Sequence, residues 1–166
     1  MRMSQKFAAQ MFAAIALALA SCSPHADGGA TAFARETPAR HAESGLPVAP
    51  LTVHRGNARL AFKVEVASTS AEQAKGLMFR TALGPDEGMI FPMNPPRPAA
   101  FWMRNTVIPL DIIFIGVDGR ILNIAANAEP YSERPLPSAG EVKGVLELRG
   151  GRAAELGIVP GDKVTW

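Results

Sequence analysis

The run from Phe101 to Arg120 constrains the fold more than any other stretch of the chain. It is the most apolar segment outside the N-terminus, and its polar residues stand singly among bulky hydrophobes. An unpaired polar group in such surroundings costs roughly 1–3 kcal/mol. Asn105, Thr106 and Asp111 must therefore be hydrogen-bonded inside the fold or must line a site.

The segments around this run are short and punctuated by glycine and proline. Leu51–His54 reads as a strand and Gly56-Asn57 as a turn. Leu60, Phe62, Val64 and Val66 then alternate with smaller or charged residues, the period of a strand with one wet face. Thr69 followed by Glu72 makes a capping box for a helix that stops near Gly76. Met89–Phe91 is a short buried strand, and the four prolines of Pro92–Pro98 predict a loop or an edge. Strands follow around Ala100–Met103 and Leu110–Val117. Asp118-Gly119 turns the chain into an antiparallel return over Arg120–Ala126. Val142–Leu148 alternates Val145 and Glu147 against Leu146 and Leu148. Gly150-Gly151 opens a short helix, Arg152–Leu156, which Gly157 ends, and a strand closes at Val164. About eight short strands and two short helices predict a mainly β fold, a compact antiparallel sandwich, jelly-roll-like or barrel-like domain.

That domain occupies residues 51–166. Residues 23–50 are rich in Ala, Gly, Pro, Ser and Thr without any period, the composition of a disordered linker. Residues 1–22 read as an export signal. Arg2 and Lys6 precede an apolar core, Phe7–Ala20, that is too short for a bilayer span of about 20 residues. The core ends in Leu19-Ala20-Ser21-Cys22, which looks like a bacterial lipobox. Cleavage after Ala18-Leu19-Ala20 is the alternative. The lipobox reading is preferred because the chain's single cysteine falls where acylation requires it. The expected location is the periplasmic side of the cell envelope, with the membrane reached only through a lipid on Cys22.

The inventory excludes several chemistries. With one cysteine, at position 22, the domain has no thiol for catalysis or for a disulfide. Of the three histidines, His25 and His41 lie in the linker, and only His54 lies in the domain. A multi-histidine metal centre or a Ser-His-Asp triad is not available, and no cofactor is expected. Basic and acidic residues nearly balance after position 50, without a Lys/Arg run, so nucleic acid is not an expected partner.

Several uncommon combinations occur together in order: Gly76-Leu77-Met78-Phe79-Arg80, Glu87-Gly88-Met89-Ile90-Phe91, Phe101–Thr106, Pro109-Leu110-Asp111, Leu156-Gly157-Ile158 and Gly161-Asp162. In these the domain resembles a bacterial and archaeal family known as domain of unknown function 192. The resemblance covers nearly all of residues 60–164. It implies a compact β-sandwich, jelly-roll-like domain, often exported, and no established activity.

The candidate ligand-binding cluster is Arg80, Trp102, Asn105, Thr106 and Asp111. Trp102 would wall a small concave site, Arg80 would hold an anionic group, and Asn105 and Thr106 would orient the ligand. A carboxylate in an apolar segment needs a partner, and Arg80 is the expected partner of Asp111. The bland alternative is a buried Arg–Asp pair tying two loops together. Met78, Met89, Met93 and Met103 could supply soft ligands for Cu(I), but their aromatic and aliphatic neighbours favour core filling. Asp86 and Glu87 are adjacent acids, and Glu87 is expected to bond turn backbone. Gly150-Gly151 could offer N–H groups to an anion. The leading functional expectation is a non-catalytic, envelope-tethered binding module for a small or anionic ligand or an envelope protein. The alternatives are a hydrolase or transferase using Asp111 or Glu87 with Arg80, and a structural adaptor.

Overall fold

The computed structural model of the chain describes residues 39–166; the expected leader, Cys22 and residues 23–38 of the expected linker lie outside them. Seven strands form one sheet: β1 (Val48–Arg55), β2 (Ala58–Val66), β3 (Glu87–Phe101), β4 (Leu110–Gly116), β5 (Ile121–Ala128), β6 (Leu136–Arg149) and β7 (Lys163–Thr165). Two short helices, α1 (Ser70–Lys75) and α2 (Arg152–Leu156), accompany them among the described residues. The strand order is β5-β4-β6-β3-β2-β1-β7.

The sheet's two ends meet. The Val164 N–H donates to the Gly119 carbonyl at 2.8 Å, and the Ile121 N–H donates to the Asp162 carbonyl at 2.9 Å. The sheet therefore curls into a half-barrel. The fold is mainly β with two short helices, as the sequence predicts, and of the expected forms it is the barrel-like one. One pairing departs from the antiparallel expectation: β2 and β3 run parallel. The connection through α1 returns the chain to its starting end, as a crossover must.

Both faces of the sheet's middle are covered. Ile113 and Ile115 of β4 join Leu146, Leu148, Val53, Val64 and Val164 inside the curl. Leu110, Ile112 and Phe114 point the other way, into a second core with Met89, Phe91, Met103 and Val145. This explains why every residue of β4 is buried and why its sequence runs apolar without alternation. Each such side chain stabilises the fold by about 1.5–3 kcal/mol when fully buried. Met89, Met93 and Met103 are part of this second core.

Two boundaries differ from the sequence reading. The expected strands at Met89–Phe91 and Ala100–Met103 are the two halves of β3, and the proline segment between them stays within the strand. Pro92 pairs with Gly144 and Arg97 with Val142, so four residues of β3 stand opposite Lys143 alone. Pro95 and Pro96 fall within the slip, where no ladder bond needs their N–H groups, and Pro92 and Pro98 lie at its borders. The folded chain also begins before Leu51. His41 and Leu46 close a turn at 2.9 Å, and the Val66 N–H donates to the Pro47 carbonyl at 2.9 Å. Polar and backbone bonds hold this segment, and composition carries no trace of them.

Candidate ligand pocket

The capping box forms as the sequence predicts: Thr69 accepts from the Glu72 N–H while Glu72 accepts from the Thr69 N–H, and Gly76 ends α1. Gln73 ties the helix to the sheet by donating to the Ala67 and Pro92 carbonyls at 3.2 and 2.9 Å. Gly76 has φ 47, and a Cβ there would lie 3.3 Å from the Phe91 ring. A glycine lets the turn after α1 pass close over β3.

Between this turn, the irregular half of β3 and the 102–106 loop lies a cavity of about 340 Å³. Phe91 and Phe101 wall it, packed edge to face with ring centroids 5.0 Å apart. Lys75, Arg97 and Arg104 also line it, all on exposed stretches of chain. The Arg104 guanidinium lies 5.9 Å from the centre of the half-exposed Trp102 ring.

Glu147 reaches this cavity from β6. It shares the Val145 face, which looks away from the curl, and its neighbours on the adjoining strands are Met89 and Ile112. Only 5% of the residue is exposed, and its Oε2 has no hydrogen-bond partner among the described residues. Burial pushes its carboxyl up to about 8, so it is mostly uncharged at neutral pH. The alternation of Val145 and Glu147 suggests a wet face, but α1 and the loops cover it. A signal was present: β4 is apolar on both faces, so its neighbour β6 is covered on both faces too.

The five expected site residues do not converge. Trp102 and Thr106 line the cavity, where the Thr106 hydroxyl has only a long 3.4 Å contact to the Arg104 carbonyl. Arg80 faces a neighbouring cavity of about 350 Å³. Asn105 lines neither cavity: its side-chain amide donates to Sδ of Met78, which lines both, at 3.8 Å, and its backbone carbonyl accepts from the Phe79 N–H at 2.8 Å. Its φ of 55 is one that asparagine tolerates better than most residues.

The expected Arg80–Asp111 pair is not formed. Arg80 binds Glu65 through both terminal nitrogens, and its Nε lies 3.2 Å from Glu43. Ser44 donates to the same Glu65 carboxylate, and His41 Nδ1 lies 3.6 Å from it. The parallel crossover, invisible locally, sets Glu65 beside Arg80. Asp111 is fully buried and instead accepts from three backbone N–H groups: Asn127 at 2.7 Å, Gly151 at 3.0 Å and Ala153 at 2.7 Å. The N–H groups near Gly150-Gly151 do meet an anion, and it is the chain's own Asp111. Of the two acids considered for catalysis, Glu87 accepts from the Gly84 N–H at 2.8 Å in a turn, while Asp111 is already saturated. Asp86 is held by Arg152 at 2.9 Å.

No curated protein matches the chain. Solved structures do match it, two of them crystal structures of bacterial proteins. A protein of unknown function from Novosphingobium aromaticivorans is 64% identical, with a TM-score of 0.76 over 80% of this chain and 94% of that one. A Sinorhizobium meliloti protein described as a proposed transcription regulator is 36% identical, with a TM-score of 0.70 over 72% of this chain and 94% of that one. The family DUF192, described as an uncharacterized ACR, matches residues 51–166. With the matched segment spanning the half-barrel and its pocket, this chain belongs to the DUF192 family.

Proposed function

We propose that the domain is a non-catalytic binding module that takes a small amphiphilic anion into the cavity above Glu147. In this reading a lipid on Cys22 holds it at the cell envelope. One observation carries the binding role: an apolar-walled cavity of ligand size combines cationic side chains with a buried, unpartnered carboxyl. Ligand sites are concave and mostly apolar, with a few convergent polar groups. The anionic end would meet Arg97 and Arg104, the body would lie on Phe91 and Phe101, and Trp102 would flank the entrance. Thr106 keeps its place as an orienting residue. Arg80 and Asp111 have structural roles, since each already has its partners. The regulator description of the Sinorhizobium meliloti relative is not carried over, because the domain's charges nearly balance.

Calorimetric titration of the full chain with small aromatic carboxylates and phosphates tests the binding role. Saturable binding is expected, weakened about tenfold in the Arg97→Ala/Arg104→Ala variant, because two charge-assisted contacts are lost. Absence of binding, or equal affinity in the variant, overturns it. Detergent phase partition tests the anchor: the wild type follows the detergent and Cys22→Ser does not.

A second reading has its own support. A carboxyl held uncharged near neutral pH by apolar surroundings is a means of keeping a general acid protonated. Turnover of a bound compound by the wild type, lost in Glu147→Gln with binding intact, would establish an enzyme.

A further inference from the structure

We infer that Glu147 meets the ligand as an uncharged carboxylic acid, pairing its O–H and C=O with a neutral group that presents an acceptor and a donor side by side. A carboxamide or a lactam edge has this chemistry. The inference rests on the binding-module reading and names the deep end of that module's ligand.

The neighbours of Glu147 across the sheet are the apolar Met89 of β3 and Ile112 of β4. The other charged side chains lining the cavity are Lys75 from α1, Arg97 from β3 and Arg104 from the loop, all cations. None of them hydrogen-bonds or ion-pairs with Glu147, Arg104 lying instead 3.8 Å from Glu133, and Oε2 has no partner among the described residues. Oε2 is sealed from the open space, so a ligand supplies the missing bond once the carboxyl turns about its last side-chain bond to face the cavity.

The complementary group follows by comparing charges. An ammonium would have to pass three cations and would require an ionised Glu147, which the apolar floor opposes. A carboxylate would bring its own desolvation cost and could use only the acid's single proton. A neutral acceptor–donor edge uses both carboxyl oxygens and adds no charge to the floor. Its far end is then free to carry the anion toward the arginines.

Four para-substituted benzoates separate the possibilities while holding the anionic end constant: 4-carbamoylbenzoate, 4-methylbenzoate, 4-(aminomethyl)benzoate and the monomethyl ester of terephthalate. With the full chain at about pH 7, 4-carbamoylbenzoate should bind about tenfold more tightly than the methyl or ester compounds, the worth of one well-made buried hydrogen bond. The preference should shrink by about pH 9, as Glu147 loses its proton. It should persist at both pH values in Glu147→Gln, whose amide offers the same donor and acceptor, and vanish in Glu147→Leu. Equal binding of all four, or preference for the aminomethyl compound, overturns this inference and leaves the module standing. If none of the four binds while other carboxylates or phosphates do, this inference falls alone; if those are silent too, the module reading itself falls.

Discussion

Arg80 donates to Glu65 from both terminal nitrogens, at 2.9 and 3.2 Å, and both side chains are buried. Removing one partner of such a pair leaves an uncompensated charge and costs about 3–5 kcal/mol. Arg80→Met should destabilise the domain by about that amount, and Glu65→Leu by less, because Glu43 still lies 3.2 Å from Arg80 Nε. The double variant should recover part of the loss, since no orphan charge remains. Urea denaturation of the four proteins reads the coupling, and strictly additive losses would mean the two side chains act independently.

Asp111→Asn should cost about 2–4 kcal/mol, because a buried carboxylate holding three backbone donors is replaced by an amide with one acceptor. The loss should be local first. Asp111 joins the start of β4 to Asn127 and to the opening of α2. Hydrogen exchange at Gly151 and Ala153 should therefore accelerate more than exchange in β1 or β2. Uniform acceleration would contradict a local fastening role.

What was legible in the sequence was local. The Thr69–Glu72 box, the stop at Gly76, the Asp118-Gly119 turn and the short helix over Arg152–Leu156 depend on neighbours a few residues away, and all four appear in place. The need for a partner at Arg80 and at Asp111 was legible too, because burial alone dictates it. The identity of the partners was not. Glu65 reaches Arg80 only because β2 and β3 pair in parallel, and Gly151 lies forty residues beyond Asp111. Period-two alternation shows that Glu147 and Leu148 face opposite ways. It does not show that a helix and two loops cover the Glu147 side.

Gly76→Ala and Gly151→Ala both place a side chain at positive φ, 47 and 82 respectively. Strain alone costs about 1–3 kcal/mol. At Gly151 the new methyl meets nothing within 4 Å, whereas at Gly76 it meets the Phe91 ring at 3.3 Å. Gly76→Ala should lower the denaturation midpoint further, and it should also weaken any ligand held against Phe91. Equal shifts in the two variants would mean that neither the ring contact nor the ψ of −134 at Gly76, outside the left-handed region that Gly151 occupies, carries a cost.

The last prediction concerns Glu147 and pH. Burial raises its carboxyl from 4.5 in the unfolded chain to about 8 in the folded one. Below the lower value both states hold the proton, and the group takes nothing from stability. Between the two values the unfolded chain has released the proton while the folded chain keeps it. Stability should then fall by about 1.4 kcal/mol for each pH unit. Above the upper value both states are ionised and the loss is complete. Glu147→Gln carries no proton to lose, so the two proteins should be similar near about pH 4 and the variant the more stable by several kcal/mol near about pH 8. Carboxylates held down by their partners, such as Glu72 and Glu155, titrate alike in both proteins and cancel in the difference. Urea denaturation of the pair at about pH 4, 6 and 8 measures it. A difference that stays constant with pH would mean that the Glu147 carboxyl reaches water or finds a partner in the folded protein.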